Sequence, residues 1–173
     1  DAMKAGIGLI TEDRRGNGIF GCLSIKDNVG VSIYNKHLKA GFVLDHKTIN
    51  GIVDDSIKKL RIKTPNMQEH IANLSGGNQQ KVIVARWLAN DPDILIMDEP
   101  TRGIDVGAKH EIYEIMNDLA AEGKAIIMIS SEMAELLGMS DRVYVMCNGK
   151  MRGELTEENE MTQKHVMSYD TKY

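Results

Sequence analysis

The feature that most constrains the fold is the alternation of short apolar runs with longer amphipathic segments between residues 93 and 147. One apolar run covers residues 93–97, a helical segment follows at 106–122, and a second apolar run covers 125–129. Short, nearly all-apolar strands separated by helices are typical of parallel sheets that are covered on both faces. The sequence therefore predicts an α/β layer architecture in which both apolar runs are buried strands.

The upstream segments predict a strand, a loop and two helices. Residues 6–11 form a short apolar run, and the charged, glycine-containing stretch 12–18 after it is typical of a loop. Within residues 45–60 the apolar side chains recur every three or four positions, as in an amphipathic helix. A second helix is predicted over 78–90, with Ser75 as its cap.

The C-terminal quarter predicts one hairpin flanked by short helices. Residues 132–138 favour a short helix, and the strands 142–146 and 150–155 flank the turn-forming pair Asn148-Gly149. The polar tail that follows residue 156 predicts one more short helix.

Composition narrows the class of partner. The formal net charge is -4, and this gives no basic surplus of the kind that binding to a nucleic-acid backbone requires. No apolar run reaches the roughly 18 to 20 residues that a membrane-spanning helix needs. We therefore expect no nucleic-acid partner and a chain that does not itself cross a bilayer.

The segment that begins at Ser75 has the composition of an anion-binding helix start. A serine followed by Gly76 and Gly77 leaves backbone N–H groups open, and the positive end of a helix favours a phosphate there. An ordinary serine cap on a core helix has the same pattern. For this segment alone, the ordinary cap is the preferred interpretation.

The second chemical signal is an acidic pair that directly follows an apolar run. A carboxylate at the carboxyl end of a buried strand, such as Asp98, can hold Mg²⁺ directly or through water. Glu99 could accept a proton from water that attacks a γ-phosphate. A strand that happens to end in acidic turn residues explains this signal alone, but it explains the two motifs together poorly.

Taken together, the two motifs resemble the ABC ATPase family. Leu74–Gln80 is similar to the signature motif of the family, Ile94–Glu99 to its Walker B strand, and Thr101–Asp105 to its D-loop. Gly8–Asn28 is similar to the strand and Q-loop region, so the resemblance covers nearly the whole chain. It implies an α/β fold: a partial P-loop NTPase domain, with a helical subdomain and part of the mainly parallel core sheet.

This resemblance divides the chain into four regions. Residues 1–17 would hold the first strand and the Q-loop region, and 18–90 the helical subdomain with the signature helix. Residues 91–156 would form part of the α/β core, with the Walker B, D-loop and H-loop regions, and 157–173 a C-terminal tail.

The Walker A phosphate-binding loop, G-x-x-x-x-G-K-[ST], occurs nowhere in these 173 residues. The family places this loop upstream of Asp1, so we expect a fragment that is truncated before Walker A and that cannot hydrolyse ATP alone. Its sheet should be incomplete and should expose edges and apolar faces. We therefore expect self-association or strand exchange.

Three stretches carry a narrower resemblance. Thr11–Arg15, Arg102–Ala108 and Ser130–Met133 are similar to the second nucleotide-binding half of the tandem ATPases that drive import of monosaccharides such as galactose, methyl galactoside and ribose. Residues 63–65 and 132–141 are most similar to the galactose and methyl-galactoside branch.

Two positions depart from the usual pattern of the ABC family. Glu12 stands where the Q-loop usually has glutamine, and Ser131 stands where the switch histidine is usual. A hydroxyl at this second position cannot act as a cationic partner of the transferred phosphoryl group.

By resemblance, each candidate residue receives a role. Asp98 positions Mg²⁺, Glu99 polarises the attacking water, and Ser131 occupies the catalytic switch position. Asp105 communicates across a dimer, and Glu12 contacts a permease together with the helical subdomain. The residues expected to contact the nucleotide of an opposing domain are Ser75, Gly76, Gly77 and Gln79.

The resemblance implies the ATP-binding subunit of a sugar importer, with ATP and Mg²⁺ as cofactors. Its partners would be a transmembrane sugar permease, an opposing nucleotide-binding domain and, indirectly, a sugar-binding protein. The location would be cytoplasmic, on the inner face of the membrane. Two alternatives remain: a non-catalytic signature donor or gene remnant, and a fragment of a repair or chromosome-maintenance ATPase. The negative net charge of the chain argues against the second alternative.

Overall fold

The computed structural model describes residues 1–156 and 161–170 and has an α/β fold, as predicted. The chain divides into two compact units, the first covering Asp1–Ile129 and the second beginning at Ser130. The elements of the first unit are β1 (Ile7–Ile10), α1 (Ile25–Gly30), β2 (Leu38–Lys39), β3 (Val43–Leu44), α2 (His46–Lys59), α3 (Gly76–Leu88), β4 (Ile94–Asp98), α4 (Val106–Ala121) and β5 (Ala125–Ile129). Those of the second are α5 (Met133–Met139), β6 (Val143–Cys147), β7 (Lys150–Leu155) and α6 (Gln163–Asp170).

Three parallel strands form the sheet of the first unit. Their order is β1-β4-β5, so β4 lies in the centre and pairs with both neighbours. Ile94 on β4 is opposite Ile7 on β1 and Ala125 on β5. The carboxyl ends of all three strands therefore meet at one edge of the sheet.

Only one face of this sheet is buried. Leu95 and Met97 point into the core, whereas Leu9, Ile127 and Ile129 on the opposite face are 44%, 52% and 50% exposed. The prediction that both apolar runs are buried strands is therefore wrong for β5. For β4 it holds on one face only, because the helices of the first unit pack on that face of the sheet. The expected exposure of apolar sheet surface is confirmed.

Helix α3 covers the buried face next to β1. Gly8 is buried there, and a Cβ atom at this position would lie 3.3 Å from Cε3 of Trp87 and 3.0 Å from Cδ1 of Leu95. A larger residue at position 8 would push the helix away from the strand. The close approach fixes α3 on the sheet, and with it the segment that begins at Ser75.

A buried arginine joins α3 to α1 and to the segment that precedes α1. Arg86 donates from Nε to the carbonyl oxygen of Asn28 at 2.5 Å, from Nη1 to that of Gly18 at 2.7 Å, and from Nη2 to Oδ1 of Asn28 at 2.7 Å. Its guanidinium also lies 4.9 Å from the ring centre of Phe20. Burial lowers the pKa of Arg86 to about 10, because the charged guanidinium loses its hydration.

The helix ends follow the local signals in the sequence. Ser75 caps α3, as predicted, and its side chain accepts from the backbone N–H of Asn78. Asp45 and Asp105 cap α2 and α4 in the same way. Helix α4 ends just before Gly123, whose φ of 88° is accessible to glycine without strain.

Two local features differ from the sequence-based expectation. Residues 14–18, predicted as loop, form a five-residue helical turn, because Asp13 Oδ1 accepts from the N–H of Gly16 at 2.8 Å and stabilises the turn. Strands β2 and β3, which the sequence patterns did not predict, form a small antiparallel hairpin.

The second unit is built on the antiparallel pair β6–β7, and the hairpin and both helices of this unit were predicted. Its core contains the buried side chains of Val143, Val145, Leu155 and Val166. A Cβ atom at Gly153 would lie 2.5 Å from the ring of Tyr169, so α6 packs directly on β7.

None of the helices within residues 1–156 and 161–170 combines the length and the apolar character that crossing a bilayer requires.

Candidate functional site

The acidic pair lies at the carboxyl edge of the sheet. Asp98 is the last residue of β4 and pairs with Ile129 of β5, and it is half-buried. Glu99 follows with a φ of 47°, a left-handed conformation that non-glycine residues rarely adopt. Its N–H donates to the carbonyl oxygen of Ile129 at 2.8 Å. Sheet pairing therefore holds Glu99 in a strained backbone conformation, a feature that is enriched at functional sites.

The side chains near this edge suit a magnesium ion shared with phosphate. Within the described ranges, no group of three or more His, Cys, Asp or Glu residues could form a metal cage. Proteins usually bind Mg²⁺ through one or two carboxylates, while water and substrate phosphates supply the other ligands. Asp98, alone or with Glu99, fits this pattern.

The first turn of α3 is open to solvent at its cap. Ser75 is exposed, and its Oγ accepts from Nδ2 of Asn78 at 2.9 Å. Asn78 Oδ1 in turn accepts from the backbone N–H of Lys63 at 2.8 Å. These bonds fix the start of a 13-residue helix whose positive end faces outward.

Both glycines of this turn are packed tightly. A Cβ atom at Gly76 would lie 3.1 Å from Nη2 of Arg14 and 3.4 Å from Cγ2 of Ile104. At Gly77 it would lie 2.4 Å from Cβ of Ala108 on α4, closer than two carbon atoms can approach. The glycines therefore allow three segments of the first unit to meet at the start of α3.

Gln79 occupies a different environment from Ser75. It is buried, and its Nε2 donates to the carbonyl oxygen of Ile71 at 3.2 Å. The side chain thereby stabilises the turn that precedes α3. Direct contact between Gln79 and a nucleotide remains a prediction.

Two arginines connect the Q-loop-like and D-loop-like segments. Glu12 forms an ion pair with Arg102. Arg14 lies 3.4 Å from the carbonyl oxygens of Arg102 and Gly103, which it approaches with Nη1 and Nη2. Burial lowers the pKa of Arg14, with a further contribution from the positive charge of Arg15. Arg14 also lies beside Gly76 at the start of α3. Within the first unit, the Q-loop-like segment, the D-loop-like segment and the α3 start thus form one continuous surface.

The backbone links this surface to the acidic pair. The N–H of Arg102 donates to the carbonyl oxygen of Glu99 at 3.1 Å, so the D-loop-like turn starts directly at the end of β4. Asp105 ends this turn as the cap of α4, and its Oδ1 accepts from the N–H of Ala108 at 2.9 Å. The next residue, Val106, is 83% exposed.

Sequence reasoning did not identify Arg14, Arg102 or Val106 as site residues. The adjacent Arg14 and Arg15 were part of the resemblance, but sequence cannot show which of two neighbouring arginines turns toward residues nearly ninety positions away. For Val106, the sequence offered one signal of an exposed site residue, namely an apolar side chain directly after the capping aspartate Asp105.

Ser131 belongs to the second unit and is described within it. It is exposed and precedes α5. Its neighbour Ser130 accepts from the N–H of Glu132 at 3.0 Å and donates to Oε2 of the buried Glu135 at 2.6 Å. A catalytic role for Ser131 remains a prediction.

Comparison with known proteins places these motifs in a family. The sequence profile of the family described as ABC transporter matches residues 1–102. The galactose/methyl galactoside import ATP-binding protein MglA of Clostridium tetani is 53% identical over 173 residues, which are 100% of this chain and 34% of that protein. The ribose import ATP-binding protein RbsA of Oceanobacillus iheyensis is 52% identical over 171 residues, 99% of this chain and 34% of that protein.

Solved structures share the fold of this chain. The chain matches cbiO1 from Clostridium perfringens, part of the ABC transporter complex cbiONQ, with a TM-score of 0.75 and 25% identity over 95% of this chain and 62% of that one. It matches the dimeric, ADP- and phosphate-bound cassette MJ0796 with a TM-score of 0.73 and 21% identity over 87% of this chain and 62% of that one.

The chain spans about a third of the length of the curated relatives that it matches, because each alignment covers 34% of the relative. The family profile covers more than half of the chain and includes the α3 start, β4 and the acidic pair. The chain therefore belongs to the ABC transporter family, as a homologue of the ATP-binding proteins of sugar import.

Proposed function

We propose that this chain is part of the ATP-binding subunit of an ABC sugar importer, and that ATP binding and hydrolysis at its site drive transport. The observation that carries the proposal is the single surface formed by the α3 start, the Glu12–Arg102 pair and the strained Glu99. Relatives with half of their aligned residues identical are named as galactoside and ribose import proteins, which supports sugar as the cargo.

The residues of this surface divide the chemistry among them. Asp98 would hold Mg²⁺, which neutralises negative charge on the phosphates when bound. Glu99 would accept the proton of the attacking water, and its fixed backbone keeps the carboxylate at the sheet edge. The exposed N-terminus of α3, with Ser75 as its cap, would bind the γ-phosphate of a nucleotide on an opposing domain.

The proposed partners are those that the resemblance to the ABC family implies. The exposed Val106 beside Asp105 is an apolar contact for an opposing nucleotide-binding domain. Glu12 and the α1–α3 region would meet a sugar permease, which receives its cargo from a sugar-binding protein. The subunit would then lie in the cytoplasm, on the inner face of the membrane, with its sites arranged in the four sequence regions proposed above.

A second candidate function is that of a non-catalytic signature donor. The α3 start is complete within this chain, with its cap and both tightly packed glycines. The chain contains no Walker A sequence, so we propose that it does not hydrolyse ATP alone. In this role, Ser75 and Gly76 would complete a site on another domain, and Asp98 and Glu99 would be dispensable.

A segment exchange distinguishes the two functions. This chain replaces the matching segment of the C. tetani relative. The exchange protein is produced in cells that lack their own galactoside importer, and uptake of labelled galactoside is measured. The importer role predicts uptake that Asp98→Asn abolishes and that Asp141→Asn, a substitution in the second unit, leaves unchanged. Uptake that survives Asp98→Asn but not Gly76→Val would favour the signature donor. A folded, membrane-associated exchange protein without uptake of galactoside or ribose would refute the importer proposal.

A further inference from the structure

The hairpin β2–β3 presents an unusually exposed apolar tip. All six residues from 38 to 43 are exposed, and Phe42 at the turn is 80% exposed. Val43 and Leu38 beside it are 49% and 40% exposed. Large apolar side chains that are clustered and exposed in this way mark an interaction surface.

The hairpin is braced, so the exposure of Phe42 is a feature of the fold. Asp45 at its base donates its N–H to the carbonyl oxygen of His37 at 2.8 Å and accepts from the Lys39 ammonium at 2.9 Å. The same carboxylate caps α2 through the N–H and Oγ1 of Thr48. Lys39 and these bonds lower the pKa of Asp45 to about 2. The turn residues Ala40 and Gly41 both have positive φ, which closes the hairpin tightly.

The segment that carries the tip is basic, and outside it Asp91 lies near enough to Lys36 for an electrostatic interaction. Residues 36–47 contain the exposed lysines Lys36, Lys39 and Lys47 against one carboxylate, Asp45, and the segment is therefore basic in a chain whose net charge is -4. An apolar tip flanked by lysines matches the chemistry of a bilayer interface, where apolar groups enter the acyl boundary and ammonium groups meet anionic headgroups.

We propose that the hairpin 36–47 docks this chain on a membrane surface that contains anionic phospholipid. The tip exposes three large apolar side chains, a small set for a stable protein interface but a sufficient one for shallow insertion in a bilayer. The lysines supply the attraction to anionic headgroups. This inference does not depend on the nucleotide chemistry proposed above, and it leaves the permease contact to Glu12 and to the parts of the α1–α3 region outside this hairpin.

Vesicle flotation of the whole chain tests the inference. The chain should float with vesicles of phosphatidylglycerol mixed with phosphatidylcholine and remain unbound with phosphatidylcholine alone. Phe42→Ser should weaken partitioning about tenfold, because the buried ring area is lost. Lys36→Gln combined with Lys47→Gln should weaken it about fivefold per lysine. Lys39 is left unchanged because it braces the hairpin.

The hairpin of the second unit offers a matched control. It also exposes a lysine, Lys150, and a large apolar side chain, Met151, which is 61% exposed. Met151→Ser and Lys150→Gln should leave flotation unchanged. Circular dichroism of every variant establishes that it is folded, and Phe42→Trp should retain binding with a blue-shifted emission on vesicle addition.

Three results would overturn the inference. They are the absence of flotation with phosphatidylglycerol vesicles, equal losses from Phe42→Ser and Met151→Ser, and no emission shift for Phe42→Trp. Absence of flotation combined with specific capture of a protein through Phe42 would reassign the hairpin to a protein contact.

Discussion

Two arginines of the first unit bind backbone carbonyls in contrasting ways. Arg86 is 8% exposed and donates three hydrogen bonds between 2.5 and 2.7 Å long. Arg14 is half-buried and reaches two carbonyl oxygens only at 3.4 Å, and its buried Nε has no hydrogen-bond partner among the residues that the structure describes. Burial is the main cause of the lowered pKa of both guanidinium groups.

The difference in hydrogen bonding assigns a structural role to Arg86 and a role at the candidate site to Arg14. Arg86 satisfies its carbonyl partners fully, so it stabilises the packing of α1 on α3. Arg14 lies beside Gly76 and the D-loop-like turn with unused hydrogen-bonding capacity. Incomplete hydrogen bonding of this kind is expected where a surface still has a ligand or a partner domain to bind.

The largest effect should come from removing the scaffold arginine. Arg86→Met removes the donor to the buried carbonyl oxygens of Gly18 and Asn28, whereas Oδ1 of Asn28 keeps its hydrogen bond from the N–H of Phe20 at 2.9 Å. We expect the free energy of unfolding to fall by about 3 to 5 kcal/mol, measured by urea denaturation. Arg142→Met, at an exposed arginine of the second unit, should change it by less than about 0.5 kcal/mol. Equal effects would contradict the distinction between the two kinds of arginine.

Overpacking at the start of α3 should have the next largest effect. Gly77→Ala places a methyl group 2.4 Å from Cβ of Ala108, and a loss of about 2 to 3 kcal/mol of unfolding free energy is expected. The double variant Gly77→Ala/Ala108→Gly removes the clash and should recover much of this loss. If the double variant is no more stable than Gly77→Ala, close packing of α3 on α4 does not explain the glycine.

A buried lysine and its carboxylate partner should give an effect on stability between those of Gly77→Ala and Arg14→Ala. Lys81 has a side chain that is 2% exposed, and it pairs with Glu111 at 2.7 Å, which lowers the pKa of that carboxyl. Because the folded pKa of Glu111 is depressed, its contribution to stability is present above the unfolded pKa of about 4.3 and is lost as the pH falls below it. Glu111→Gln should lower the free energy of unfolding by about 1 to 2 kcal/mol at neutral pH, since solvent screens the partly exposed carboxylate.

The pH dependence provides the check on this pair. Urea denaturation near pH 7 and near pH 3 should show a smaller difference between wild type and Glu111→Gln at the lower pH. Asp118→Asn, a neighbouring carboxylate on α4, serves as the control. A difference that grows on acidification would mean that folding raises the pKa of Glu111, which is incompatible with a stabilising pair between Glu111 and Lys81.

The smallest effect on stability is expected at Arg14. Its two long hydrogen bonds contribute little, so Arg14→Ala should change the unfolding free energy by less than about 0.5 kcal/mol. In the segment-exchange protein, the same variant should reduce ATP turnover, because the guanidinium joins the α3 start to the D-loop-like turn. A large loss of stability would make Arg14 a scaffold residue like Arg86.

Local sequence signals were sufficient for most of the regular elements. The periodic apolar side chains of 45–60 predicted α2, and the cap at Ser75 was read directly from residue type. The apolar runs that became β4 and β5 were also found in the sequence. These features depend on interactions within a few residues, which a single sequence records.

Features that depend on distant residues were not predictable. The prediction that β5 is buried was wrong, because burial depends on which layers cover the sheet and not on the apolar run itself. The hairpin β2–β3 was missed because each strand has two residues and no alternation to detect. The approach of Arg14 to Gly103 depends on the packing of α3 against the sheet and α4, which the residue types alone do not specify.

The most direct test of the central claim is ATP turnover by the purified segment-exchange protein with and without Glu99→Gln. If Glu99 accepts the proton of the attacking water, Glu99→Gln should lower kcat by about 10²- to 10⁴-fold, with little change in ATP affinity. Glu154→Gln in the second unit is the matched control and should leave turnover unchanged. A loss of that size in kcat alone would support Glu99 as the general base of this site, whereas unchanged turnover would contradict the assignment.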